Sequence, residues 1–95
     1  MKSLRDKIKQ LIMEWANSIG IVQLSTVEVY PSGIGSNIHV IIVANKGFES
    51  WERAERDNLI YDYLAGKLNP SELVKISLFL TMTEEEFERY SITQA

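Results

Sequence analysis

No cysteine occurs in the 95 residues, and histidine occurs once, at position 39. Without a thiol there are no disulfides, no thiol nucleophile, no zinc knuckle and no cysteine-ligated cluster supplied by this chain. That composition fits a reducing compartment. A run of about 18 apolar residues is also missing, so no segment reads as a membrane-spanning helix. The start, Met1 to Lys7, opens a charged amphipathic pattern without an apolar signal core, and a cytoplasmic protein is expected. Positive charge is scarce outside the first ten residues. There Lys2, Arg5, Lys7 and Lys9 stand against Asp6, while the whole chain carries a net charge of -3. A basic first segment on an acidic body argues against general nucleic-acid binding, which needs a broad positive footprint.

What is present is an ordinary globular composition, 45% apolar and 24% charged. It is long enough for one domain over residues 1–95 with a modest core. Leu4, Ile8, Leu11, Ile12, Trp15 and Ile19 recur at three- and four-residue steps, the mark of one helical face. Gly20 is a natural stop, so an amphipathic N-terminal helix is expected to fill most of residues 1–20. Ile21 to Tyr30 is rich in β-branched residues and reads as a strand, with a bulge or a late start open around Ser25-Thr26. Pro31 to Asn37 is a turn. Ile38 to Ala44 is apolar on both faces, as a central strand is.

The next helix carries Trp51, Ala54, Ile60, Tyr63, Leu64 and Leu68, with Ser50 as its expected N-cap and a break expected near Asp57-Asn58. Asn69-Pro70-Ser71-Glu72 signals a short helical turn. Val74 to Leu80 alternates and reads as a third strand. Thr83-Glu84-Glu85-Glu86 is a capping box for a last helix anchored by Phe87 and Tyr90, and the tail 91–95 is expected to fray. The expected fold class is α+β, in the order α-β-β-α-(turn)-β-α. The first two strands form a hairpin. A right-handed helical crossover makes the second and third parallel, giving a three-stranded mixed sheet with helices mainly on one face.

Individual residues mostly have plain explanations. His39 has no partner at metal-ligand spacing. Glu52 and Arg56 are four apart and read as an exposed helical ion pair on a charged face. Lys75 reads as an edge charge on the third strand. Gly33-Ile34-Gly35-Ser36 lies in a hairpin and lacks the Lys-Ser/Thr of a phosphate loop. The three glutamates suit a helix start, and the tryptophans read as core or core edge.

The element order resembles the BolA fold, a relative of the class II KH-like topology. Pro31-Ser32-Gly33 with Ser36 before the strand from Ile38 is similar to the family's Pro-x-Gly turn. Phe48 stands at its Phe-x-Gly, with Ser50 in place of Gly. Arg56-Asp57-Asn58 aligns with its Arg-His-Arg run, Val74-Lys75-Ile76-Ser77 with its Val-His-Ala-Leu strand, and Thr81-Met82-Thr83 with its Thr-x-Thr segment. The resemblance covers about residues 20–90. It implies a small regulatory, stress-response or adaptor protein that acts by protein–protein contact without being an enzyme. It also raises a partnership with a monothiol glutaredoxin and a shared iron–sulfur cluster, although Lys75 replaces the family's strand histidine and loop 28–37 holds no His or Cys. Nucleic-acid binding through a KH-like sheet is a third reading.

The expected contact surface joins Ser32, Gly33, His39, Arg53, Arg56, Asp57 and Lys75. On it, reversing the charge of Arg56 and Lys75 together should weaken partner binding without lowering thermal stability. The chain itself is expected to be a monomer or weak dimer.

Overall fold

The structure, a computed structural model, describes the backbone of residues 3–94 and side chains as far as Tyr90. Helix α1 runs over Leu4–Ile19. Ser3 caps it, its hydroxyl accepting the Asp6 N–H at 3.2 Å, and Gly20 closes it in the left-handed conformation with its N–H on the Ala16 carbonyl. Ile8, Ile12, Trp15 and Ala16 face inward and are buried. Burying an isoleucine is worth about 2 kcal/mol, so packing of this face outweighs the cap in holding the helix.

Strand β1 (Gln23–Pro31) pairs antiparallel with β2 (Ile38–Lys46), Val27 facing Ile42 and Val29 facing Val40. The register slips on both sides of Leu24 and leaves Ser25 unpaired, so the expected irregularity at Ser25-Thr26 is a bulge. Strand β3 (Ile76–Thr83) lies parallel to β2 on its other side, giving the order β1-β2-β3. The crossover between β2 and β3 holds a 3-10 turn (Phe48–Ser50), helix α2 (Arg53–Ala65) and the single turn α3 (Pro70–Leu73). Helix α4 (Glu84–Gln94) follows β3 directly. The α+β class, the element order and the three-stranded mixed sheet are those expected.

β2 is apolar on both sides because both are covered. Val40, Ile42 and Ala44 pack with Ile8, Ile12 and Trp15 of α1, with Phe48, and with Ile60 and Leu64 of α2. Ile41 and Val43 join Met82 against Phe87 and Tyr90 of α4 on the opposite face. Two helices thus share the main face, and the last one reaches round to the other. Trp15 lies 6.5 Å from Phe48 and 6.3 Å from Trp51, so the tryptophans are core and core edge. Gly47 joins β2 to the 3-10 turn at φ 101, where a Cβ would lie 2.5 Å from the Ile21 carbonyl oxygen. Only glycine allows that approach.

Several boundaries differ from the sequence reading. The N-cap of α2 is Glu52, not Ser50, because Glu52 and Glu55 form a reciprocal capping box and Ser50 is still in the 3-10 turn. α2 continues unbroken through Asp57-Asn58, since Arg56, Ile60 and Leu64 all lie on its buried face. β1 starts at Gln23, not Ile21. β3 starts at Ile76, because Val74 and Lys75 are still turning out of α3, their N–H groups bonded to Pro70 and Glu72 carbonyls. The tail expected to fray is helical in backbone through Gln94, and Ala95 lies outside the described residues. Among the described residues no helix is long and apolar enough to cross a membrane.

Candidate functional site

Two regions gather the residues that the sequence marks as candidates, and they lie at opposite ends of β3. One is the corner where α2, β3 and α4 meet. Arg56 projects from α2 in the same column as Ile60 and Leu64 and is only 3% exposed. Each of its three side-chain nitrogens is bonded within the chain. Nε donates to Thr81 Oγ1 at 3.0 Å, Nη1 to the Phe48 carbonyl at 3.1 Å, and Nη2 to the Thr81 carbonyl at 3.0 Å. Nη2 also forms an ion pair with Glu86 of α4, and the guanidinium lies 5.3 Å from the Phe48 ring centroid. Thr81 in turn donates its hydroxyl proton to the Asp57 carboxylate. No buried side-chain polar atom among the described residues is left without a partner. A buried guanidinium is tolerated on such terms, because desolvation costs several kcal/mol unless pairing and hydrogen bonds offset it.

Glu86 ties this network to α4. Its Oε1 accepts the Thr83 N–H at 2.8 Å while Thr83 Oγ1 accepts the Glu86 N–H, so the capping box read from the sequence is present. Burial pushes the Glu86 carboxyl up, but the Thr83 N–H and the Arg56 and Arg53 charges outweigh it and hold its pKa below the ordinary value. Arg53 is exposed, 3.7 Å from the other Glu86 oxygen. The expected Glu52–Arg56 ion pair is not formed. Glu52 is used in capping, and Arg56 reaches the other way, to Glu86. Arg56 is therefore an internal tie, and the expectation that its charge could be reversed without loss of stability is corrected.

The other region is the hairpin end. Ser32 donates its N–H to the Asn37 carbonyl at 2.9 Å, and its hydroxyl accepts the Ile34 N–H at 3.1 Å. The Asn37 N–H donates back to the Ile34 carbonyl at 3.2 Å, so the loop is tied by its own hydrogen bonds, and Ile34 is left outside, 73% exposed. Lys75 sits just before β3, its carbonyl accepting the Ile38 N–H at 2.7 Å. It lines a shallow groove with Arg5, Pro31, Gly35, Ser36 and Asn37. Val74 beside it is 74% exposed. Lys75 therefore meets the hairpin loop at Gly35, Ser36 and Asn37, while Ser32 and Gly33 lie in the same loop outside that groove. His39, one residue into β2, packs edge-on against Tyr30 with ring centroids 5.4 Å apart. Burial pushes the Tyr30 phenol up, aided by Tyr90 and Glu28.

The seven candidate residues do not form one surface. Thr81 lies six positions beyond Lys75, nearly all of them along β3, about 20 Å away. That separates the Arg53, Arg56 and Asp57 corner from the loop. Two members of the corner, Thr81 and Glu86, had no mark as site residues. The available sign was spacing: Arg56, Ile60 and Leu64 recur every four residues, which places the arginine on the buried face.

No protein-family model, no curated protein and no solved structure matches the chain. Among the described residues no group of three or more His, Cys, Asp or Glu side chains could hold a metal ion. The donor set also does not fit a cluster held in the BolA manner. The hairpin loop offers no imidazole or thiolate, Lys75 stands at the strand position, and His39 is a lone imidazole packed on Tyr30.

Proposed function

We propose that this chain is a non-enzymatic regulatory or adaptor protein of the cytoplasm. In this reading it works by protein–protein contact in the manner of the BolA proteins it resembles, and the hairpin end is its contact surface. The observation that carries the reading is the exposure of Ile34 and Val74, 73% and 74%, each the chain neighbour of a residue (Gly35 and Lys75) that lines a groove shared with Arg5. Large apolar side chains held out beside charge suit a partner that offers an apolar residue flanked by carboxylates. The self-bonded loop keeps Ile34 presented without a large ordering cost on binding.

A photo-reactive residue at position 34, compared with one at the exposed position Leu59 on α2, tests the placement in cells. A discrete adduct at position 34, lost on Lys75→Glu, is the expected result. Adducts at position 59 but not at 34 contradict it. The family partner is tested with isotope-labelled protein titrated with a monothiol glutaredoxin. Shifts at residues 32–39 and 74–75 are expected if that partnership is kept through this surface, and the absence of shifts assigns the surface to another partner.

A further inference from the structure

β1 is an edge of the sheet, paired only with β2. It carries one charge, Glu28, and its single proline is its last residue. Edges of this length are usually blunted by lysine, proline or a covering segment. Beside it runs a groove of about 440 Å³ between α1 and β1, lined on its apolar side by Met13, Val22, Leu24 and Val27. Met13 is 50% exposed there. Lys9 reaches the same edge and lines a second depression with Glu28. Neither Lys9 nor Glu28 has an ion pair among the described residues.

The hydrogen-bond phase of the edge can be read from the hairpin. Ser32 bonds across to Asn37, and the register continues from there as Pro31 facing Ile38. Bonding alternates along an antiparallel strand, so Tyr30, Glu28 and Thr26 bond inward to β2, while Val29 and Val27 turn their N–H and carbonyl groups outward. Pro31 also faces out but has no N–H to give.

We propose that β1 pairs antiparallel with β1 of a second copy about a two-fold axis at Val27, extending the sheet across both chains. This register makes Val27 a reciprocally bonded pair at the axis and brings Val29 opposite Ser25, which β2 leaves unpaired, while Pro31, with no N–H to give, falls opposite Gln23 at the ends of the seam. It sets Thr26 opposite Glu28 of the second copy, so the two glutamates are diagonal neighbours and not a direct pair. Each copy brings one Lys9 and one Glu28 to the axis, and the unpaired charges balance there. An axis perpendicular to the sheet keeps both α1 helices on one face, where Met13 flanks the seam.

Sedimentation velocity from micromolar to millimolar protein, with amide exchange at Val27 and Val29, tests this directly. A concentration-dependent dimer is expected, with both amides slowing as it forms. Thr26→Lys faces Glu28 across the seam and should tighten the dimer about threefold or more, and Thr26→Glu should loosen it by a similar factor. Thermal melts at low concentration establish that both variants fold. A monomer at millimolar concentration overturns the proposal. So does a dimer indifferent to the charge at position 26, and so does protection of Val27 and Val29 that appears only on adding a foreign strand.

Discussion

The two ends of the sheet treat the same kinds of residue in opposite ways. At the α2–β3–α4 corner, Arg56 is buried and each of its three side-chain nitrogens is bonded within the chain. At the hairpin end, Lys75 and Arg5 border a groove beside apolar side chains that nothing in the described structure covers. The corner spends its polarity on joining three elements. The hairpin end ties its loop with a few local hydrogen bonds and leaves side chains outside. A charged residue therefore belongs to the fold or to the surface according to the column it occupies, not according to its charge.

The largest expected effect strikes the corner. Arg56→Ala removes an ion pair and leaves the Phe48 and Thr81 carbonyls buried without their donor, at a cost of about 3 kcal/mol in urea denaturation. That is a large share of the stability of a domain this small. Gly47→Ala comes next, at about 2 kcal/mol, because the left-handed φ is strained and the added Cβ meets the Ile21 carbonyl. Its test is the same denaturation midpoint.

Glu86→Gln follows at about 1 kcal/mol, since the amide keeps an oxygen for the Thr83 N–H but loses the charge. Its pH dependence sharpens the point. The folded pKa of Glu86 is depressed, so its contribution is fully present above the ordinary carboxylate pKa. It is lost as pH falls through the folded value. Denaturation followed with pH should show a shallower acid limb in Glu86→Gln than in the wild type. The smallest stability effect belongs to the hairpin end. Ile34→Ser and Val74→Ser should each stay within about 0.5 kcal/mol of wild type, and Val74→Ser should also remove the photo-adduct formed from position 34.

The order of elements was legible because each carries its own physical sign. Gly20 stops α1, Asn69-Pro70 starts α3, and the Thr83–Glu86 box starts α4. The Ser25 irregularity was visible as a fault in alternation. The α2 start was not, because Ser50 is a good cap by type while Glu52 and Glu55 act as a pair. Arg56 was misjudged for a related reason. Its neighbours Glu52, Arg53 and Glu55 suggest a solvated face, yet the four-residue step to Ile60 and Leu64 places it inside. Thr81 and Glu86 complete the corner only through β3 and α4, contacts 25 and 30 residues away that no local pattern announces. At the hairpin end the loop was legible from its turn residues, but the groove was not, because it needs Arg5 of α1 and Lys75 beside it.

The most direct test melts two matched charge reversals side by side. Arg56→Glu places a carboxylate among the buried acceptors of the corner and should lower Tm by about 15 °C or abolish the cooperative transition. Lys75→Glu should melt within about 3 °C of wild type. If the two variants melt together, the division between a corner that holds the fold and an end that is free to make contacts is wrong.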